Sequence, residues 1–213
     1  MKAERLLALY DDVSEAPDAI DRLRRFVVDL AVRRKLVDAH SETRSCTLGD
    51  LGRWGSGGTP TRTNPEYYGG NIPFIVIGDL NDGVVNKSAN YITESGLYNS
   101  SAKMIEPGTV MVAMYGSIGK LGIAGFRCAT NQAIAHCAPN DEKVSAEYFL
   151  VLLRSLREQF LSRGQGVAQQ NISQKVLKAW PVQLPPLAEQ HRIVAKVDEL
   201  MGLLRTFLQR ELD

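Results

Sequence analysis

What this sequence has little of narrows its reading before any motif does. It holds three cysteines, Cys46, Cys128 and Cys137, an odd number with no paired spacing. That excludes a disulfide framework, and reduced, buried thiols in a cytoplasmic protein are expected. Its three histidines, His40, His136 and His191, are scattered, and none has a Cys or His partner at metal-ligand spacing. The longest apolar run, residues 110–115, is far too short to span a bilayer. The start, Met1-Lys2-Ala3-Glu4-Arg5, has an early acidic residue and no apolar core after it, so no signal peptide is expected. Neither sign of charge dominates: 25 Lys and Arg face 24 Asp and Glu, for a net charge of +1. A nucleic-acid binder usually carries a basic excess. Any DNA-facing surface here has to be assembled by folding or shared with a partner.

Catalytic signatures are lacking too. A phosphate-binding loop needs Gly-x-x-x-x-Gly-Lys followed by Ser or Thr. Gly116-Ser117-Ile118-Gly119-Lys120 is too short and continues into Leu121. Gly55-Ser56-Gly57-Gly58 runs into Thr59-Pro60 rather than into an obvious helix, so it reads as a turn whose backbone approaches something closely. Asn64-Pro65-Glu66-Tyr67 departs from the Asn-Pro-Pro-Tyr of amino-group DNA methyltransferases by Glu66, and reads as a turn into a short helix. No enzyme is expected.

What is present begins at the two ends. Ile20, Leu23, Val27 and Leu30 recur at intervals of three and four. So do Ile193, Val197, Leu200, Leu204 and Phe207, behind Pro185-Pro186. Each set is an apolar seam of coiled-coil spacing, and each needs a helix to pack on. Propensity favours a further short helix over residues 2–10. A fresh start near Ser14 and Pro17 opens the first seam, whose helix gives out near residues 36–40. Between the seams the composition changes. Strands are expected at residues 72–77, 109–115, 121–126, 131–138 and 182–184. Residues 109–115 and 121–126 read as a hairpin joined by 116–120. An amphipathic helix opens at Ser145 and presents Phe149, Leu152, Leu153, Leu156 and Phe160. A short helix is expected over 172–180, with Asn171 or Ser173 near its start. The fold class is therefore α+β: a globular domain with a small mixed or antiparallel sheet, flanked by N- and C-terminal coiled-coil-like helices. The divisions expected are a helical region over 1–44, a globule over 45–185 and a helix over 186–213.

Three loops of this globule are rich in small, amide and hydroxyl side chains: 55–64, 115–120 and 163–173. Such groups can meet base edges and phosphates. Thr59, Thr61, Arg62, Ser117, Lys120, Gln169, Gln170 and Asn171 are the candidates for facing DNA. Asn131, Gln132 and the Gly-Ser-Ile-Gly turn could equally hold the fold, and Trp54 and Trp180 read as core or rim.

The ordered set of Gly-Gly-Thr-Pro (57–60), Glu-Tyr-Tyr-Gly-Gly (66–70), Ile-Pro-Phe-Ile (72–75), Gly-Asp-Leu (78–80), Gly-Ser-Ile-Gly-Lys (116–120), Thr-Asn-Gln-Ala-Ile (130–134), Ala-Gln-Gln-Asn-Ile-Ser (168–173) and Leu-Pro-Pro-Leu-Ala-Glu-Gln-His-Arg-Ile-Val (184–194) resembles a DNA-specificity (S) subunit of type I restriction–modification systems. Leu30-Ala31-Val32-Arg33-Arg34-Lys35-Leu36-Val37 is similar to the helix end that precedes a target-recognition domain there. That family carries two such domains separated by two long helices, whereas one is found here, so the chain looks like a half-subunit. The resemblance implies a non-catalytic, cytoplasmic protein that binds half of a bipartite duplex target. It implies recruitment of adenine-N6 methyltransferase (M) subunits that use S-adenosylmethionine and of an ATP- and Mg-dependent restriction (R) subunit. Reading two half-sites would take a second copy, related by a two-fold axis. The seams at Ile20–Leu30 and Ile193–Phe207 are the expected place of that pairing; the alternative is that they pack mainly on each other within one chain or on methyltransferase helices. A reading of another class, a coiled-coil module that occupies methyltransferase subunits without reading DNA, stays open from the residues alone.

Overall fold

The computed structural model describes residues 19–164 and 171–210. The first helix, α1 (Ala19–Val32), ends earlier than its sequence suggests. The reason is at Arg34, which takes a left-handed conformation (φ 61). Its N–H donates to the Ala31 carbonyl and the Lys35 N–H to the Leu30 carbonyl. This pair of bonds is a Schellman close, usually made by glycine.

The globule follows. Strand β1 (Arg44–Thr47) leads through a 3₁₀ turn into β2 (Gly52–Ser56). Then come β3 (Tyr68–Ile75), β4 (Val84–Val85), β5 (Tyr91–Ile92), helix α2 (Glu94–Tyr98), β6 (Met104–Ile105), β7 (Val110–Ala113), β8 (Leu121–Ala124), β9 (Cys128–Thr130) and β10 (Ile134–Pro139). Helices α3 (Ala146–Ser155), α4 (Arg157–Gly164) and α5 (Gln174–Lys178) precede β11 (Pro181–Leu184) and the long α6 (Leu187–Arg210). The helix opened by Ser145 is thus split at Leu156 into α3 and α4. Ser173, not Asn171, caps α5, its hydroxyl accepting from the Val176 N–H.

A five-stranded sheet has the order β2-β10-β7-β8-β4, and a four-stranded one β5-β3-β9-β6. Strand β7 is buried on both faces, and its alternation divides the core. Val110 and Val112 join the larger cluster under the helices, with Leu121, Phe149 and Leu152. Met111 and Ala113 face the other way, against Ile75, Leu80, Val85 and Ile134. Helix α3 covers β7 and β8. Trp54 packs edge-on against Phe149, with ring centroids 6.0 Å apart, and Phe160 against Trp180 at 4.9 Å, so both tryptophans belong to the packing. The cysteines are free thiols, and burial pushes Cys128 and Cys137 up to about 12.

Both terminal helices pack on this globule and on each other: α1 touches α3 and α6, and α6 touches α3. The seams meet within one chain, although not as drawn from the sequence. On α1, Val27 is buried together with Val28 and Ala31, while Ile20, Leu23 and Leu30 are only half-buried. On α6, Ile193 and Val197 are buried and Leu200 and Leu204 half-buried. The shift on α1 follows from contact with two helices at once, which widens the covered stripe beyond a coiled-coil seam.

Candidate nucleic-acid interface

The strand pairing decides which loops meet. Ser56 at the end of β2 lies opposite Ala135, and Ile134 at the start of β10 lies opposite Ala113 at the end of β7. Val112 lies opposite Leu121 at the start of β8, and the parallel pair β4–β8 brings residues before Val84 to the same end. Loops 57–64, 77–83, 114–120 and 131–133 therefore share one end of the sheet. Asn171 joins them through a bridge to Tyr115, and the Ile172 N–H donates to the Met114 carbonyl at 3.0 Å.

Close backbone approach fixes this rim. A β-carbon at Gly57 would lie 2.1 Å from the Thr130 carbonyl oxygen and 2.2 Å from that of Asn131, so only glycine fits. The Gly58 N–H donates to the Thr130 carbonyl and the Met114 N–H to that of Ala133. Asn131 forms an Asx turn, accepting from the Ala133 N–H at 3.2 Å. The Tyr68 hydroxyl donates to the Pro60 carbonyl at 2.6 Å, anchoring loop 57–64 from the second sheet. Asp82, left-handed at φ 59, is pinned from behind: its carboxylate accepts from Arg157 and from the Leu121 N–H, and its carbonyl accepts from Arg154. Arg157 also donates to the Gly119 carbonyl at 2.8 Å.

The candidate DNA-facing residues divide accordingly. Thr61, Arg62 and Ser117 are exposed on the rim, the Thr61 hydroxyl lying 3.0 Å from that of Thr63. Thr59 is turned toward Gln132, to which its hydroxyl donates. Lys120 is half-buried. Its ammonium donates to the carbonyls of Ile77, at 3.1 Å, and Gly78, at 3.4 Å, so in this structure it fastens two loops rather than projecting outward. Gln169, Gln170 and the side chain of Phe207 lie outside the described residues. The close approach expected of the Gly55–Gly58 turn is made at Gly57; sequence reading missed Asp82 as an anchor and Tyr115, which is 43% exposed. The jump at Tyr115 from an all-apolar strand to a glycine turn was the available signal.

A cavity of about 780 Å³ lies elsewhere, between α1, α6 and the junction of α3 and α4. Its arginines are largely engaged: Arg24 with Asp21, Arg25 with Glu158 and Arg157 with Asp82. It is a cleft of paired charges behind the rim. Among the described residues no cluster of His, Cys, Asp and Glu could hold a metal, and no helix is long and apolar enough to cross a membrane.

The motif at the head of α6 has a structural explanation. Glu189 is 1% exposed and forms a two-pronged ion pair with Arg34. Gln190, fully buried, accepts from the Ser145 N–H at 3.1 Å and donates to the carbonyls of Lys143, at 2.8 Å, and Pro185, at 2.9 Å. These two residues lock the end of α1, the start of α3 and the start of α6 together. Strands β1 and β11 pair beside them, Arg44 opposite Leu184. The globule's entry and exit are thus one closed neck.

Comparison with known proteins places this geometry. A family profile described as "Type I restriction modification DNA specificity domain" matches residues 41–211. The specificity subunit of the type I restriction enzyme EcoR124I/EcoR124II of Escherichia coli is 26% identical, over 99% of this chain and 57% of its own length. That of MjaIX from Methanocaldococcus jannaschii is 28% identical, over 68% of this chain and 34% of its own. Among solved structures, the HsdS subunit from Thermoanaerobacter tengcongensis superposes with a TM-score of 0.69 at 22% identity, covering 97% of this chain and 49% of that one. The type I S subunit from M. genitalium gives 0.60 at 16% identity, over 97% and 55%. At those identities the likeness establishes the mixed α+β fold. The chain spans about half the length of these solved relatives.

Proposed function

The chain belongs to the type I restriction–modification DNA specificity family, whose profile it matches over residues 41–211, and from that premise we propose that it reads one half of a bipartite duplex DNA target. The observation that carries this reading is the convergence of four polar loops on one end of the five-stranded sheet. In this reading Thr61, Arg62, Ser117, Gln169, Gln170 and Asn171 contact DNA directly. Thr59 and Lys120 act one step back, holding the loops that make contact. Phosphate contacts set register and base contacts set sequence.

The near-neutral charge fits a grip shared with partners, since affinity for duplex DNA comes largely from phosphate neutralisation. We assign adenine-N6 methylation, with S-adenosylmethionine, to methyltransferase subunits, and ATP- and Mg-dependent cleavage to a restriction subunit; this cytoplasmic chain supplies address rather than chemistry. Two copies, paired through the helical face of α1 and α6, would supply both half-sites. Phe26 on α1 and Leu203 on α6, 48% and 61% exposed, are apolar groups available for that pairing.

The test is selection from a randomised duplex pool by the full chain bound to its methyltransferase subunit. Enrichment of one short motif is expected. A complex that forms but enriches no motif would overturn this reading in favour of a protein-interaction module.

A further inference from the structure

The β7–β8 hairpin ends in an aromatic residue that the fold presents without using. Residues 109–114 are all buried, and at Tyr115 exposure jumps to 43%. The backbone around it is already fixed. Met114 donates to Ala133 at 2.8 Å and accepts from Ile172 at 3.0 Å, Gly119 donates to Ala113 at 3.0 Å, and Tyr115 itself bridges Asn171. Beside it Gly116, at φ 64, leaves open space where a side chain would stand. Ser117 in the same turn and Gln132 in the loop at the same end of the sheet are exposed too.

An aromatic ring on a pinned backbone gives up little further conformational freedom on binding, because only two side-chain torsions remain to be ordered. Tyrosine also offers an apolar face and a polar tip to one partner. The major groove of duplex DNA presents base edges and thymine methyls, polar and apolar contacts side by side, to a turn that projects from the end of a sheet. We propose that Tyr115 is a base-contacting, specificity-determining residue: the hairpin tip enters the major groove and lays the tyrosine ring against the edge of one base pair. This rests on the half-site reading above and names its central contact.

The experiment repeats the pool selection with Tyr115→Ala and Tyr115→Phe in the same methyltransferase complex, and adds direct titration of the selected duplex and a scrambled one. Thermal unfolding checks that each variant folds. Tyr115→Ala is expected to relax preference at one or two adjacent positions and to weaken the selected duplex about tenfold, the scale of one base contact. The scrambled duplex should bind as before. Tyr115→Phe should retain the preference. If Tyr115→Ala selects the wild-type motif unchanged, or weakens both duplexes equally, the inference falls while the half-site reading stands. Loss of preference in Tyr115→Phe would overturn the ring as the contacting group. A wild-type complex that selects nothing overturns both.

Discussion

Glu189 carries a charge almost out of reach of water, and Arg34 is its main compensating partner, with Arg192 at 4.0 Å beside it. Removing one partner of a buried pair leaves the other uncompensated, which costs about 3–5 kcal/mol. Glu189→Ala is expected to lower stability by about that much, read from the urea midpoint, and Glu189→Gln by less because its amide keeps one acceptor. The Arg34 hydrogen bond, foremost, holds the Glu189 carboxyl below the usual carboxylate range. Its folded value lies below its unfolded one. The contribution is therefore complete above the unfolded glutamate value, about 4.3, and is lost as pH falls through the folded value. The stability of Glu189→Gln should decline less steeply across that acid window. His136 behaves differently. Burial lowers its pKa, and among the described residues its Nε2 has no partner. The unfolded chain takes up a proton, near pH 6.5 and below, that the folded chain cannot house, so stability falls as pH drops through that range. Proton NMR of the His136 ring should give a midpoint below about 6.5; a midpoint above that value would contradict the burial argument.

Among the elements, loop 57–64 depends on backbone packed against backbone. Gly57→Ala is expected to cost about 2 kcal/mol or more, because carbonyl groups rather than flexible side-chain ends must move. Gly78→Ala meets nothing within 4 Å and should stay within about 0.5 kcal/mol. Thermal unfolding of the two variants side by side checks the contrast. These elements were unequally legible. The hairpin of β7 and β8, the helix from Ser145 and the Pro185-Pro186 step announce themselves through runs, caps and proline chemistry. Strands β4, β5 and β6 have two residues each, too few to show a period. Strand β2 hides in Gly-Arg-Trp-Gly-Ser, which reads as a turn until β10 pairs with it. The site was legible as composition, since its loops are visibly polar. Its assembly was not, because pairings such as Ser56 with Ala135 join distant parts of the chain. Lys120 shows the limit. A lysine after a glycine turn looks the same in sequence whether it awaits a phosphate or clasps the Ile77 carbonyl.

At the scale of the whole molecule, the helices that sequence spacing left in search of a partner find each other within one chain, on top of α3. What they leave uncovered, Phe26 and Leu203 among them, is available for a second copy. The chain and its methyltransferase subunit should therefore give a complex containing two copies of this chain, 23.5 kDa each, by light scattering. One copy per complex at micromolar concentration would remove the pairing. The neck that joins the two ends of the globule also sets a timetable for synthesis. Arg34 and Glu189 are 155 residues apart. At translation speeds of roughly 5–20 residues per second, α1 exists for roughly 10–30 s before its clasp has been made. During that wait the apolar face of α1 has neither α3 nor α6 to cover it for most of the interval. The segment that carries Glu189 is thus the one that closes the neck, and a chain cut short before Glu189 would leave α1 open to the wrong neighbour.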